Sequence, residues 1–148
     1  MEVAYRYLAT AMSADEQSPA ASEPLQLATT PIAELSPTVE HLSDSCIHAV
    51  VTLLWPYSSS TKSLSLLLAD PDVRLRRLNG QVKVVFHGVI AENVAKSQVG
   101  IGDAVRLGLA GSRFVSKETD GQSPGKWIAW DVHFDDRVLL EVRLGARY

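Results

Sequence analysis

Cysteine is almost absent from this sequence. Cys46 is the only one in 148 residues, so no disulfide can form within the chain and no tetrahedral thiolate zinc site can be assembled from it. A reducing compartment is the expectation. Long apolar runs are missing too. No stretch reaches the roughly 18–20 apolar residues of a membrane-spanning helix. Residues 1–12 are broken by Glu2 and Arg6, which leaves no apolar core of the roughly 7–15 residues that a secretory leader carries. Together these absences lead us to expect a soluble nuclear or cytoplasmic protein with no membrane partner. Strong charge of either sign is also lacking, since the chain carries a net −3 at pH 7. That average hides a division. Seven acids (Glu2, Asp15, Glu16, Glu23, Glu34, Glu40 and Asp44) against Arg6 put residues 1–45 at −6, while 13 bases and 10 acids put residues 46–148 at +3. The second part is mildly basic, which permits phosphate contacts without demanding them.

What is present is enough apolar material, 46% of residues, for one core in a chain of one-domain length. Residues 13–30 are rich in Ser, Ala, Pro and acids and bury little, so residues 1–30 are expected to form a disordered or weakly ordered tail. From residue 31 apolar positions return, with Ile32, Leu35, Val39 and Leu42 spaced to dock a short helix or an ordered strap. Residues 47–55 are β-rich and apolar on both alternating faces, and Pro56 is expected to end that strand. Residues 57–62 read as a loop. Leu64, Leu66 and Leu68 then alternate over residues 63–69, and Val82, Val84 and Phe86 over residues 81–87. Between them lies a basic connection with Arg74, Arg76 and Arg77, closed by Asn79-Gly80. Residues 89–98 change to helical spacing. Strands at residues 104–109, 127–134 and 137–144 complete the pattern, with 110–126 read as a long exposed loop.

Strand, strand, strand, helix, strand, strand is the order of a five-stranded Greek-key barrel of the oligonucleotide/oligosaccharide-binding (OB) type with an extra C-terminal strand, occupying residues 31–148. Another small barrel or a mixed α+β sheet fits the same order. Enzymatic patterns fare worse. Gly100 and Gly102 begin a Gly-x-Gly, but Val105 breaks the dinucleotide fingerprint. His41, His48, His87 and His133 are too scattered for a local metal motif, and Cys46 at a strand start is most simply a buried small residue. No catalytic residue, metal or cofactor is expected.

Several short segments carry a family resemblance: Pro31-Ile32-Ala33-Glu34-Leu35, Leu66-Leu67-Leu68-Ala69-Asp70-Pro71 with the basic loop behind it, Gly102-Asp103-Ala104-Val105-Arg106-Leu107, and Lys126-Trp127. In this order and spacing the chain resembles the N-terminal OB domain of the fungal protection-of-telomeres proteins, related to the alpha subunit of telomere end-binding protein. The resemblance spans roughly residues 31–134. It implies binding of the guanine-rich single strand at nuclear chromosome ends, telomere-complex proteins as further partners, and no enzymatic activity.

Single-strand binding on such a barrel needs flat rings for stacking and cations along the backbone path. Trp55 and Tyr57 flank Pro56 at the first loop, which Lys62 closes. Trp55 suits core packing at a strand end equally well, while Tyr57, in a polar loop, is the better stacking candidate. Lys83 and His87 should emerge beside Ser63 and Ser65 on the outer sheet face. Arg74, Arg76 and Arg77 could clamp phosphate or stack on guanine, or be merely solvated. In the last long loop Arg113, Phe114, Lys117 and Lys126 interleave an aromatic with cations, Phe114 being either a platform or a lid over the barrel end. Trp127 and Trp130 have opposite parity in a strand. Trp130 is expected inside with Ile128, Val132 and Phe134, and Trp127 outside with Asp131 and His133. The same surface would also suit a protein-interaction module that binds no DNA.

Overall fold

The computed structural model describes residues 4–10, 28–40, 42–116 and 127–144. Among these, nine strands and one α-helix follow in chain order: β1 (Ala4–Thr10), β2 (Ala28–Thr29), β3 (Ser45–Ser58), β4 (Ser63–Ala69), β5 (Gln81–His87), α1 (Gly88–Lys96), β6 (Ala104–Gly108), β7 (Ser112–Ser116), β8 (Trp127–Phe134) and β9 (Val138–Leu144). The fold is all-β. Eight strands hydrogen-bond in the order β1-β9-β6-β3-β4-β5-β8-β7, and β2 lies parallel to β3 off that path. Three of the nine, β1, β2 and β7, go beyond the five strands and C-terminal extra that periodicity predicts. β1 falls within the segment expected to be weakly ordered, and it pairs antiparallel along all seven residues with β9.

The alternating leucines, valines and phenylalanines fold as their period requires. Leu64, Leu66, Leu68, Val82, Val84, Phe86, Ile128, Val132 and Phe134 turn to one side and are buried together. Full burial of such a side chain contributes about 1.5–3 kcal/mol. Phe86 and Phe134 stack with centroids 5.7 Å apart across the parallel β5–β8 seam. Ile90, Ala91 and Val94 of α1 join the same core, as do Ile32 and Leu35 of the strap at residues 31–42, with Leu42 partly buried against it. Trp130 packs there from the inner face of β8, as its parity predicts.

β3 is the long member, and it serves two neighbours. Cys46 to Val50 pair with β6 and Val50 to Ser58 with β4. Two register shifts interrupt the second ladder, between Val51 and Leu53 and between Trp55 and Ser58. Each shift reverses which face the following side chains take. Ile47, Ala49 and Val51 are therefore core, Leu53 and Trp55 are exposed, and Tyr57 is turned back against the core. Pro56 does not end the strand. It sits at the second irregularity, where a missing N–H costs no regular ladder bond.

The basic connection between β4 and β5 contains a 3-10 turn, Val73–Arg77, capped by Asp72, whose side chain accepts from the Arg74 backbone N–H. Gly80 is required where that turn rejoins the sheet, because a Cβ there would lie 2.2 Å from the Leu75 carbonyl oxygen. β6 and β7 are consecutive in the chain, separated only by residues 109–111. Gly111 takes a φ of +84° in that link, and a Cβ there would lie 3.0 Å from Arg137 Cγ. On the outer side of β6, Arg106 pairs with Glu141 of β9 at 2.9 Å, and the carboxylate side chain is only 5% exposed.

Candidate functional site

Strand register assembles one outer face from five strands. A cross-strand row runs Trp55–Ser65–Val85–His133–Arg113, each residue directly paired with the next along β3, β4, β5, β8 and β7. Below it runs Leu53–Leu67–Lys83–Asp131–Val115, and above it Ser58–Ser63–His87. Five strands at about 4.8 Å spacing make a row about 19 Å long. Its profile is uneven. Ser65, Leu67 and Val85 in the middle are buried, whereas Leu53 and Trp55 on one flank are 46% and 40% exposed and Val115 on the other is 36% exposed. The middle of this face is covered and its flanks are open, and we refer to the face as the groove.

Chemistry is distributed along that groove. The Lys83 ammonium lies 4.8 Å from the centroid of the Trp55 ring, a cation–π contact that leaves the indole 40% exposed. The His87 and His133 rings stack at 5.0 Å with 12° between their planes, and His87 Nε2 lies 2.8 Å from His133 Nδ1, so one imidazole donates to the other. His133 is pushed below the ordinary imidazole range by burial first, then by His87 and Arg113, against the opposing pull of Asp131 and Asp135. Arg113 closes the row with a two-point pair to Asp135, Nε to Oδ2 at 2.9 Å and Nη2 to Oδ1 at 3.1 Å. That bond holds the Asp135 carboxyl below its usual range.

The residues singled out from the sequence divide cleanly. Trp55, Lys83, His87 and Arg113 share the groove. Tyr57 and Phe114, expected as stacking platforms, are partly buried and pack against the core. Phe114 meets Trp130 edge-to-face at 6.2 Å, so it packs inward rather than offering a platform. The reason is parity: the second shift in β3 inverts Tyr57, and Phe114 is an inward position of β7. Lys62 sits in the β3–β4 turn with φ of 53°, and its carbonyl accepts from Gly88 N–H at 2.8 Å, next to His87. Arg74 belongs to the β4–β5 connection, where it pairs with Asp72 at 3.0 Å, and Arg76 donates from Nε to the Asp70 carbonyl at 2.7 Å. Neither joins the cross-strand rows. Lys117, Lys126 and the side chain of Trp127 lie outside the described residues.

His133, Leu53 and Val115 are groove residues that sequence reasoning did not nominate. His133 carried a signal, since it alternates outward with Asp131 on β8 just as His87 does on β5. Val115 had none, because β7 was hidden in what reads as a loop. Cys46 is fully buried, and burial pushes its thiol up, the opposite of what a reactive thiolate needs.

A family model described as a domain of unknown function (DUF8502) matches residues 26–147. No curated protein and no solved structure matches the chain.

Proposed function

This chain belongs to the DUF8502 family of domains of unknown function, and from that premise we propose that it is an OB-type single-strand-binding module whose ligand lies along the β3–β4–β5–β8–β7 groove. Four features of connectivity support the barrel. β3 pairs with both β4 and β6, β5 and β8 are parallel, α1 falls between β5 and β6, and the two ends of the ladder β6-β3-β4-β5-β8-β7 are consecutive in sequence. In this reading β6 and β7 are one interrupted strand that closes the barrel, and β1, β2 and β9 are additions to it.

The observation that carries the functional reading is the first cross-strand row. It starts on an exposed indole braced by Lys83 and ends on an arginine, and between them stands His133, hydrogen-bonded to His87 of the row above. Rings offer stacking to any base, and cations follow the phosphates. The resemblance to the telomere end-binding proteins adds the guanine-rich DNA strand of chromosome ends as the ligand and a nuclear role in end protection. Fluorescence anisotropy with a labelled guanine-rich single strand is expected to show binding that weakens with salt and exceeds binding to the matching duplex. Unchanged anisotropy at micromolar protein removes the reading.

Leu53 and Val115, apolar and exposed on both flanks, favour a second reading in which the groove takes a peptide of a telomere- or replication-complex protein. Salt-insensitive capture of such a partner without nucleic acid, combined with no DNA binding, would select it.

A further inference from the structure

The two imidazoles in the groove share one hydrogen bond, and that bond limits what the pair can do with protons. When both rings are neutral, one N–H donates across the 2.8 Å gap and the facing ring nitrogen accepts. One added proton leaves the arrangement intact, because an imidazolium N–H still finds a neutral acceptor and the bond becomes charge-assisted. A second proton would set two N–H donors against each other.

The charged groups on the strands flanking the pair lie on β5, β8 and β7, while β4 sets the neutral Ser63 opposite His87. Lys83 lies on β5, Asp131 on β8, Asp135 just after β8, and Arg113 on β7, while Lys62 lies in the turn bonded to Gly88. Asp135 is engaged by Arg113 in two hydrogen bonds. We propose that the His87–His133 pair is a one-proton switch that adds a single positive charge to the groove on mild acidification and so tightens its hold on a nucleic-acid phosphate. This rests on the single-strand-binding reading above and names a regulation of that same site.

The test is binding of a labelled guanine-rich single strand to the full chain at fixed ionic strength between pH 8 and pH 5.5, spanning the ordinary imidazole range near 6.5. Affinity is expected to rise about three- to fivefold as pH falls, the scale of one partly exposed ion pair. The logarithmic salt slope should steepen by about 0.7, the value for one further phosphate neutralised on a single strand. His87→Gln places an amide where Nε2 was and His133→Asn one where Nδ1 was. Each keeps hydrogen bonding without titrating but leaves one imidazole at the site, so each single variant is expected to move the midpoint of the pH profile, and the double variant to flatten it while circular dichroism stays native. If the double variant misfolds, the single variants still decide. A flat wild-type profile, a wild-type profile retained in the folded double variant, or an unmoved midpoint in both single variants overturns the switch alone. No binding at any pH overturns the single-strand reading and the switch with it.

Discussion

Trp55 and Tyr57 are two residues apart, yet they face opposite ways, and that difference sets a prediction at the scale of single side chains. Trp55→Ala removes an exposed ring that the core does not use, so it should cost single-strand affinity by about 1–3 kcal/mol, roughly five- to 150-fold. Thermal stability should barely move. Tyr57→Ala and Phe114→Ala remove rings packed against the core and should do the reverse, lowering the unfolding midpoint with a smaller effect on binding. Parallel anisotropy and melting curves on the three variants check this, and equal binding losses for all three would refute the assignment of faces. The residue types needed for the site were legible in the sequence, and so were the faces of Lys83 and His87, because β4 and β5 alternate without a break. Tyr57 was not legible, because a register shift is a relation between two strands. Nothing in the run Leu54-Trp55-Pro56-Tyr57 alone states that the pairing slips there.

Among the elements, the strands with three or four core residues at period two stood out from sequence, and residues 63–69, 81–87 and 127–134 match β4, β5 and β8 end to end. β7 did not stand out, since Phe114 is its one inward apolar ring and the positions two before and two after it are Ser112 and Ser116. A strand of that kind owes its existence to β8 beside it. The join of β6 to β9 is also held by something periodicity does not reveal, the Arg106–Glu141 pair on the outer face. Because Glu141 is nearly fully buried, Arg106→Ala leaves a carboxylate in low dielectric without its partner. Destabilisation near the lower end of about 3–5 kcal/mol is expected, since the arginine itself is partly open to water. Replacing both residues with leucine should recover most of that loss in urea denaturation. If the single and double variants lose stability equally, the pair is not what joins these strands.

On the scale of the whole molecule, the proposed single-strand binding predicts a cost from the division of charge seen in the sequence. Residues 1–27 carry four acids and one arginine, so a chain starting at Ala28 has its net charge moved from −3 to 0. Such a chain also lacks β1, leaving β9 paired on one side only, with β6, and its outer edge open. These two consequences are separable. Loss of the β1–β9 ladder lowers the unfolding midpoint, but the path β6-β3-β4-β5-β8-β7 is untouched, so unfolding should remain a single cooperative transition. Loss of the acidic residues removes a long-range repulsion toward a polyanion. Single-strand affinity should therefore rise by about two- to fivefold at low salt and converge on that of the full chain near 1 M salt, where the Debye length shrinks to about 3 Å. A gain that persists at high salt would mean that the first 27 residues oppose binding by direct contact rather than through their field. A truncated chain that fails to fold would mean that β1 is part of the structural minimum rather than an addition to the sheet.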